Sequence, residues 1–132
     1  GINKTIMVKS EPKIESGKSL LELLDSRKLD VTSFFWFYLS DSNSWRLVIA
    51  ATLYNAKDIK DCYKDFIDRF GNEELIKEIG LSNITITSSS DNLLNLMKSA
   101  IRTDRDSVAG IRFTSSIING VLIEDAYIYR LS

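Results

Sequence analysis

The residue types that carry most enzymatic chemistry are scarce in this chain. Histidine is absent and cysteine occurs once, at Cys62. Without imidazole, the commonest neutral-pH proton shuttle and the commonest zinc ligand are both missing, which rules out Ser-His-Asp, Cys-His and His-Glu-x-x-His centres. A lone cysteine makes neither an internal disulfide nor a thiolate metal site, and this fits a reducing, cytoplasmic setting. Lys60 and Lys64 would lower the Cys62 thiol pKa if it were exposed, but its apolar neighbours at helical spacing mark it for burial.

Paired carboxylates acting with a divalent metal remain chemically available, as in a small phosphodiesterase or nuclease. Glu124-Asp125 is the one acidic pair inside a strand pattern. With Asn119-Gly120 as a two-residue turn, Ser115 lies opposite Glu124 and Thr114 opposite Asp125, so the two acids point to opposite faces and do not share a metal unaided. Ion pairing with Arg112 or Arg130 is the simpler account. The Asp58-Ile59-Lys60 pattern falls on a helix rather than at a strand end. Glu15-Ser16-Gly17-Lys18-Ser19 carries the ending of a phosphate-binding loop, but the first glycine of that motif falls on Pro12, which lacks the backbone donor, and nucleotide hydrolysis is rejected. No residue is assigned a catalytic, cofactor-binding or metal-ligating role.

Aromatic residues give the remaining candidate. The run Thr32 to Tyr54, TSFFWFYLSDSNSWRLVIAATLY, reads as a β-hairpin around a polar turn at Ser40 to Ser44. Pairing Leu39 with Trp45 sets Phe37 against Leu47 and Phe35 against Ile49 on one apolar face. The other face then carries Phe34, Trp36, Tyr38, Arg46, Val48, Thr52 and Tyr54. Trp36, Tyr38 and Tyr54 with Arg46 form a candidate interaction face for a protein, a planar ligand or unpaired bases. A covering helix would make the same residues core.

The elements that must position these residues follow from periodicity. Residues 1–14 read as an N-terminal tail or edge strand with a β-like patch Thr5-Ile6-Met7-Val8, and 15–132 as one α+β domain. A helix over 17–28, one capped by Asn55 and stopped near Gly71, a shorter one from Asn72 to Gly80, and one over 91–102 follow from apolar spacing and caps. Strands are expected over 33–39, 45–53, 83–88, 111–118 and 121–130. The fold class is therefore α+β: a single domain with an antiparallel or mixed sheet of about five strands, two hairpins among them, packed with three to four helices. In the second hairpin Ile111, Phe113, Ile117, Leu122, Ala126 and Ile128 are expected to share one buried face.

Composition agrees with one soluble domain: 132 residues, 44% hydrophobic and 27% charged. A net charge of −1 and a pI near 5.5 disfavour nucleic acid as a partner. No apolar run approaches the roughly 20 residues of a membrane span, and the N-terminus lacks a signal-peptide core.

The stretches WFYLSDSNSWRLVIA and GIRFTSSIINGVLIEDAYIYR resemble a group of small uncharacterised bacterial proteins, over roughly residues 11–131. That resemblance implies a bacterial cytosolic origin and transfers no activity, cofactor or site. The leading expectation is a non-catalytic interaction or regulatory module with a protein partner, in its simplest form a homodimer associating through its sheet. The alternatives are the carboxylate-dependent enzyme on Glu124 and Asp125, and single-stranded nucleic-acid or planar-ligand binding on the aromatic face.

Overall fold

A computed structural model describes residues 8–132. Of the β-like patch at the N-terminus, all but Val8 lies outside the described residues. Helices α1 (Ile14–Ser26), α2 (Ile59–Phe70), α3 (Glu74–Ile79) and α4 (Asn92–Ala100) surround strands β1 (Val31–Leu39), β2 (Ser44–Ala51), β3 (Ile84–Thr87), β4 (Ile111–Ile118) and β5 (Val121–Leu131). The strands form one mixed sheet in the order β3-β2-β1-β5-β4, with β2 and β3 parallel and the other neighbours antiparallel. The parallel pair needs a crossover, which α2 and α3 supply. Among the described residues no helix is long and apolar enough to cross a membrane.

The sheet is apolar on both faces because both are covered. Helices α1, α2 and α3 cover Phe34, Trp36, Leu47, Ile49, Ile84, Ile86 and Tyr129. On the opposite face Leu94 and Met97 of α4 pack over Phe35, Val48, Ala50, Ile118, Ile123, Ala126 and Ile128.

The first hairpin corrects the expected register by one residue. Leu39 faces Ser44, so Tyr38 meets Trp45, Trp36 meets Leu47 and Phe35 meets Val48. The turn is a single 3₁₀ turn, Ser40–Ser42, closed by Asn43 in the left-handed region at φ 46°. It consumes one residue fewer than the expected pairing requires, and a one-residue slip exchanges the faces of one strand relative to the other. Trp45, Leu47 and Ile49 therefore join Phe34 and Trp36, whereas Arg46 and Val48 lie with Phe35 and Phe37.

The second hairpin has the expected register, with Thr114 opposite Asp125, around Asn119 and Gly120, both at positive φ. Its alternation of faces is not the expected one. Ser115 takes φ 46°, and beyond it the side chains change sides, so Ile118 and Ile123 are buried while Ile117 and Leu122 face solvent. Of the six residues expected on one buried face, Ile117 and Leu122 are the two that leave it.

Helix ends follow local chemistry. Asp58, not Asn55, caps α2 by accepting from the Asp61 N–H at 3.0 Å. Asn55 instead accepts from the Ser89 N–H and hydroxyl, fixing the turn before α4. Helix α1 starts earlier than expected, at Ile14, with no side-chain cap, and Ser16 donates to Glu78 of α3 at 2.7 Å. Gly17 of the rejected phosphate-loop motif is buried where α1 meets the sheet. A Cβ there would collide with the Tyr129 hydroxyl and lie 2.8 Å from Trp36 Nε1.

Candidate interaction site

The four residues of the aromatic candidate do not share an exposed surface. Trp36 is buried under α1, where its indole N–H donates to the Tyr129 hydroxyl at 3.1 Å and that hydroxyl donates to the Ile14 carbonyl at 2.6 Å. Tyr54 is buried beside α2 and donates to Asp65 at 2.8 Å; burial and the neighbouring carboxylate push its phenol well above the ordinary range. Arg46 lies on the opposite face, where it donates to the Thr85 hydroxyl and the Ser82 and Ile84 carbonyls, fastening β2 to β3. Tyr38 is half-buried like Arg46 but on the other face. Its ring packs 5.2 Å from Trp45.

The adjacent acids have different environments. Glu124 is exposed, and with Phe37, Tyr38, Leu39 and Leu122 it lines a small cleft of about 210 Å³. Asp125 is 1% exposed and holds the Arg112 guanidinium in a fork, at 2.6 Å to Nε and 2.7 Å to Nη2. Lys9 adds a third bond at 2.5 Å. Burial alone would raise the Asp125 carboxyl, but the hydrogen bonds from Arg112 and Lys9 outweigh it and hold the group below its ordinary value. Its lone pairs serve these two cations, the geometry of an anchoring charge. Cys62 is buried, its thiol facing the Tyr54 carbonyl at 3.4 Å, and burial raises its pKa.

The chain before α1 is part of this arrangement. Val8–Lys13 crosses the end of the sheet that carries the β1-β2 turn. Asn43, fixed in its left-handed conformation, accepts from the Ser10 N–H at 3.0 Å and donates to the Val8 carbonyl at 3.1 Å. The Trp45 indole donates to the Ser10 carbonyl at 2.7 Å. Lys9 lies 4.5 Å from the Tyr38 ring centre, and Arg112 reaches Glu11 at 3.3 Å. No periodicity in the sequence signals this contact, because the segment forms neither helix nor strand.

Beside it the second hairpin forms an arm. Pairing of β1 with β5 ends at Phe37 and Ala126, whereas β4 and β5 remain paired as far as Ile118 and Val121. The two-stranded tip thus extends past the β1-β2 turn. One side packs on α4 through Ile118 and Ile123. On the other, the directly opposed Ile117 and Leu122 are 73% and 56% exposed. This apolar pair is left uncovered by the described residues.

No protein-family model matches the chain, and comparisons with curated proteins and with solved structures likewise find no match.

Proposed function

We propose that this protein is a non-catalytic interaction module that self-associates through the β4-β5 arm. The observation that supports the reading is the cross-strand pair Ile117 and Leu122, presented to solvent on a projecting hairpin whose other side is packed. Two copies related by a two-fold axis would place this pair against its counterpart, an isologous contact in which one apolar patch complements itself. Packing of arm faces is favoured over extension of the sheet across β4. Ser115, at positive φ in the middle of that edge, breaks the ladder a new strand would need, as natural edge strands often do.

The patch is small beside the roughly 1,000 Å² that a stable interface buries, so the association is expected to be concentration-dependent. Light scattering from about 10 to 500 μM should show a rising mean mass for the native chain, and the double variant Ile117→Lys, Leu122→Lys should stay monomeric across that range. A native chain that is monomeric throughout overturns the proposal.

A further inference from the structure

The segment Val8–Pro12 adds no strand to the sheet, yet the sheet recognises it residue by residue. The Lys9 ammonium meets a buried carboxylate, Asp125, between the rings of Tyr38 at 4.5 Å and Trp45 at 5.9 Å. The Ser10 hydroxyl donates to the Asn43 carbonyl at 3.0 Å, and the Ser10 carbonyl takes the Trp45 indole proton. Glu11 meets the Arg112 guanidinium, which stacks 5.4 Å from the Trp45 ring centre. A tether for α1 would need none of this, because the helix is already held by Leu20, Leu21 and Leu24 in the core. A carboxylate walled by aromatic rings selects a cation, and an arginine beside it selects an acid.

We propose that the cleft formed by Tyr38, Asn43, Trp45, Arg112 and Asp125 is a peptide-binding site for an extended segment with a lysine, a small hydroxyl residue and an acid in succession. The chain's own Lys9-Ser10-Glu11 occupies it in cis. The trans ligand is a partner segment of the same pattern, and it binds only when the resident strap lifts. The strap, with Pro12 buried, borders a cleft of about 190 Å³ lined also by Trp36, Trp45, Ile79 and Asn83, so lifting it uncovers the Trp45 ring for a second segment. A tethered competitor at an effective concentration of about 1 mM, itself of about 10 μM intrinsic affinity, weakens a ligand about 100-fold.

The test uses the full chain with Lys9→Glu and Glu11→Lys, which reverses both charges of the strap and leaves the cleft intact. The probe is a fluorescent peptide Val-Lys-Ser-Glu-Pro-Lys with a scrambled control. The reversed chain should bind the peptide saturably and about 100-fold more tightly than the native chain, and adding Asp125→Asn should remove that binding. A folded reversed chain that binds no better than the native one, or binding indifferent to Asp125→Asn, overturns the proposal. Should the reversed chain not fold, the Trp45 indole proton of the native chain gives the second measurement. Millimolar peptide should shift its NMR resonance and the scrambled peptide should not, while an unmoved resonance overturns the inference.

Discussion

Charge and polarity inside this protein are balanced residue by residue, and the balance is unequal between partners. Arg130 is 2% exposed in its side chain and Asp25, its bidentate partner at 2.9 Å, is 34% exposed. Removing the carboxylate leaves a buried guanidinium with only the Ser107 and Val31 carbonyls as acceptors and no counter-charge in the pair; removing the arginine leaves a carboxylate that water reaches. Asp25→Ala should therefore cost about 3–5 kcal/mol in urea unfolding and Arg130→Met clearly less. Ser33 presents the opposite case: its hydroxyl is buried with no hydrogen-bond partner among the described residues, so Ser33→Ala should leave stability unchanged or raise it by up to about 1 kcal/mol. Asp125 links stability to pH. Its carboxyl is depressed in the folded state, so its contribution is complete above the ordinary carboxylate value of about 4 and is lost as pH falls through the lower folded value. Between neutral and acid pH the urea midpoint of the native chain should fall more steeply than that of Asp125→Asn.

Turn chemistry decided how much of each element could be read in advance. Asn119-Gly120 allows one two-residue turn, so the second hairpin's register was legible from two residues. The Ser40 to Ser44 cluster allowed turns of different length, and the one-residue difference exchanged faces in the first hairpin. The reversal at Ser115 had no signal beyond two serines in a strand, since serine lacks the tolerance for positive φ that marks glycine, asparagine and aspartate as candidates. Gly17 was visible as a letter but not as a constraint, because the constraint is Tyr129, more than a hundred positions away. Gly17→Ala improves helix propensity by about 1 kcal/mol yet drives a methyl group into the Tyr129 hydroxyl and Trp36. Overpacking of about 1–3 kcal/mol should win, lowering the thermal midpoint, and Tyr129→Phe should restore part of the loss.

At the scale of the molecule, the α+β class with about five strands and three to four helices followed from periodicity and agrees with the five strands and four helices among the described residues, whereas strand order did not follow. Strand β5 lies between β1 and β4, inside the sheet, and contributes Ile123, Ala126, Ile128 and Leu131 to the core. Truncation after Ser107 should consequently abolish cooperative urea unfolding and the near-ultraviolet circular dichroism of the aromatic core, since several buried side chains at about 1.5–3 kcal/mol each exceed the stability of a small domain. The exposed pair on the arm was illegible for a related reason: Ile117 and Ile118 are the same residue type in the same strand, and only the sheet's outline and the twist at Ser115 decide which one meets water. The position of β5 also has a consequence for synthesis. Strand β1 pairs on one side with β2, its immediate successor, and on the other with residues such as Ala126 that are translated far later. At about 5–20 residues per second, the finished β1-β2 hairpin waits on the order of ten seconds beside the ribosome with one bare, aromatic-rich edge, the interval in which a nascent chain most needs a chaperone.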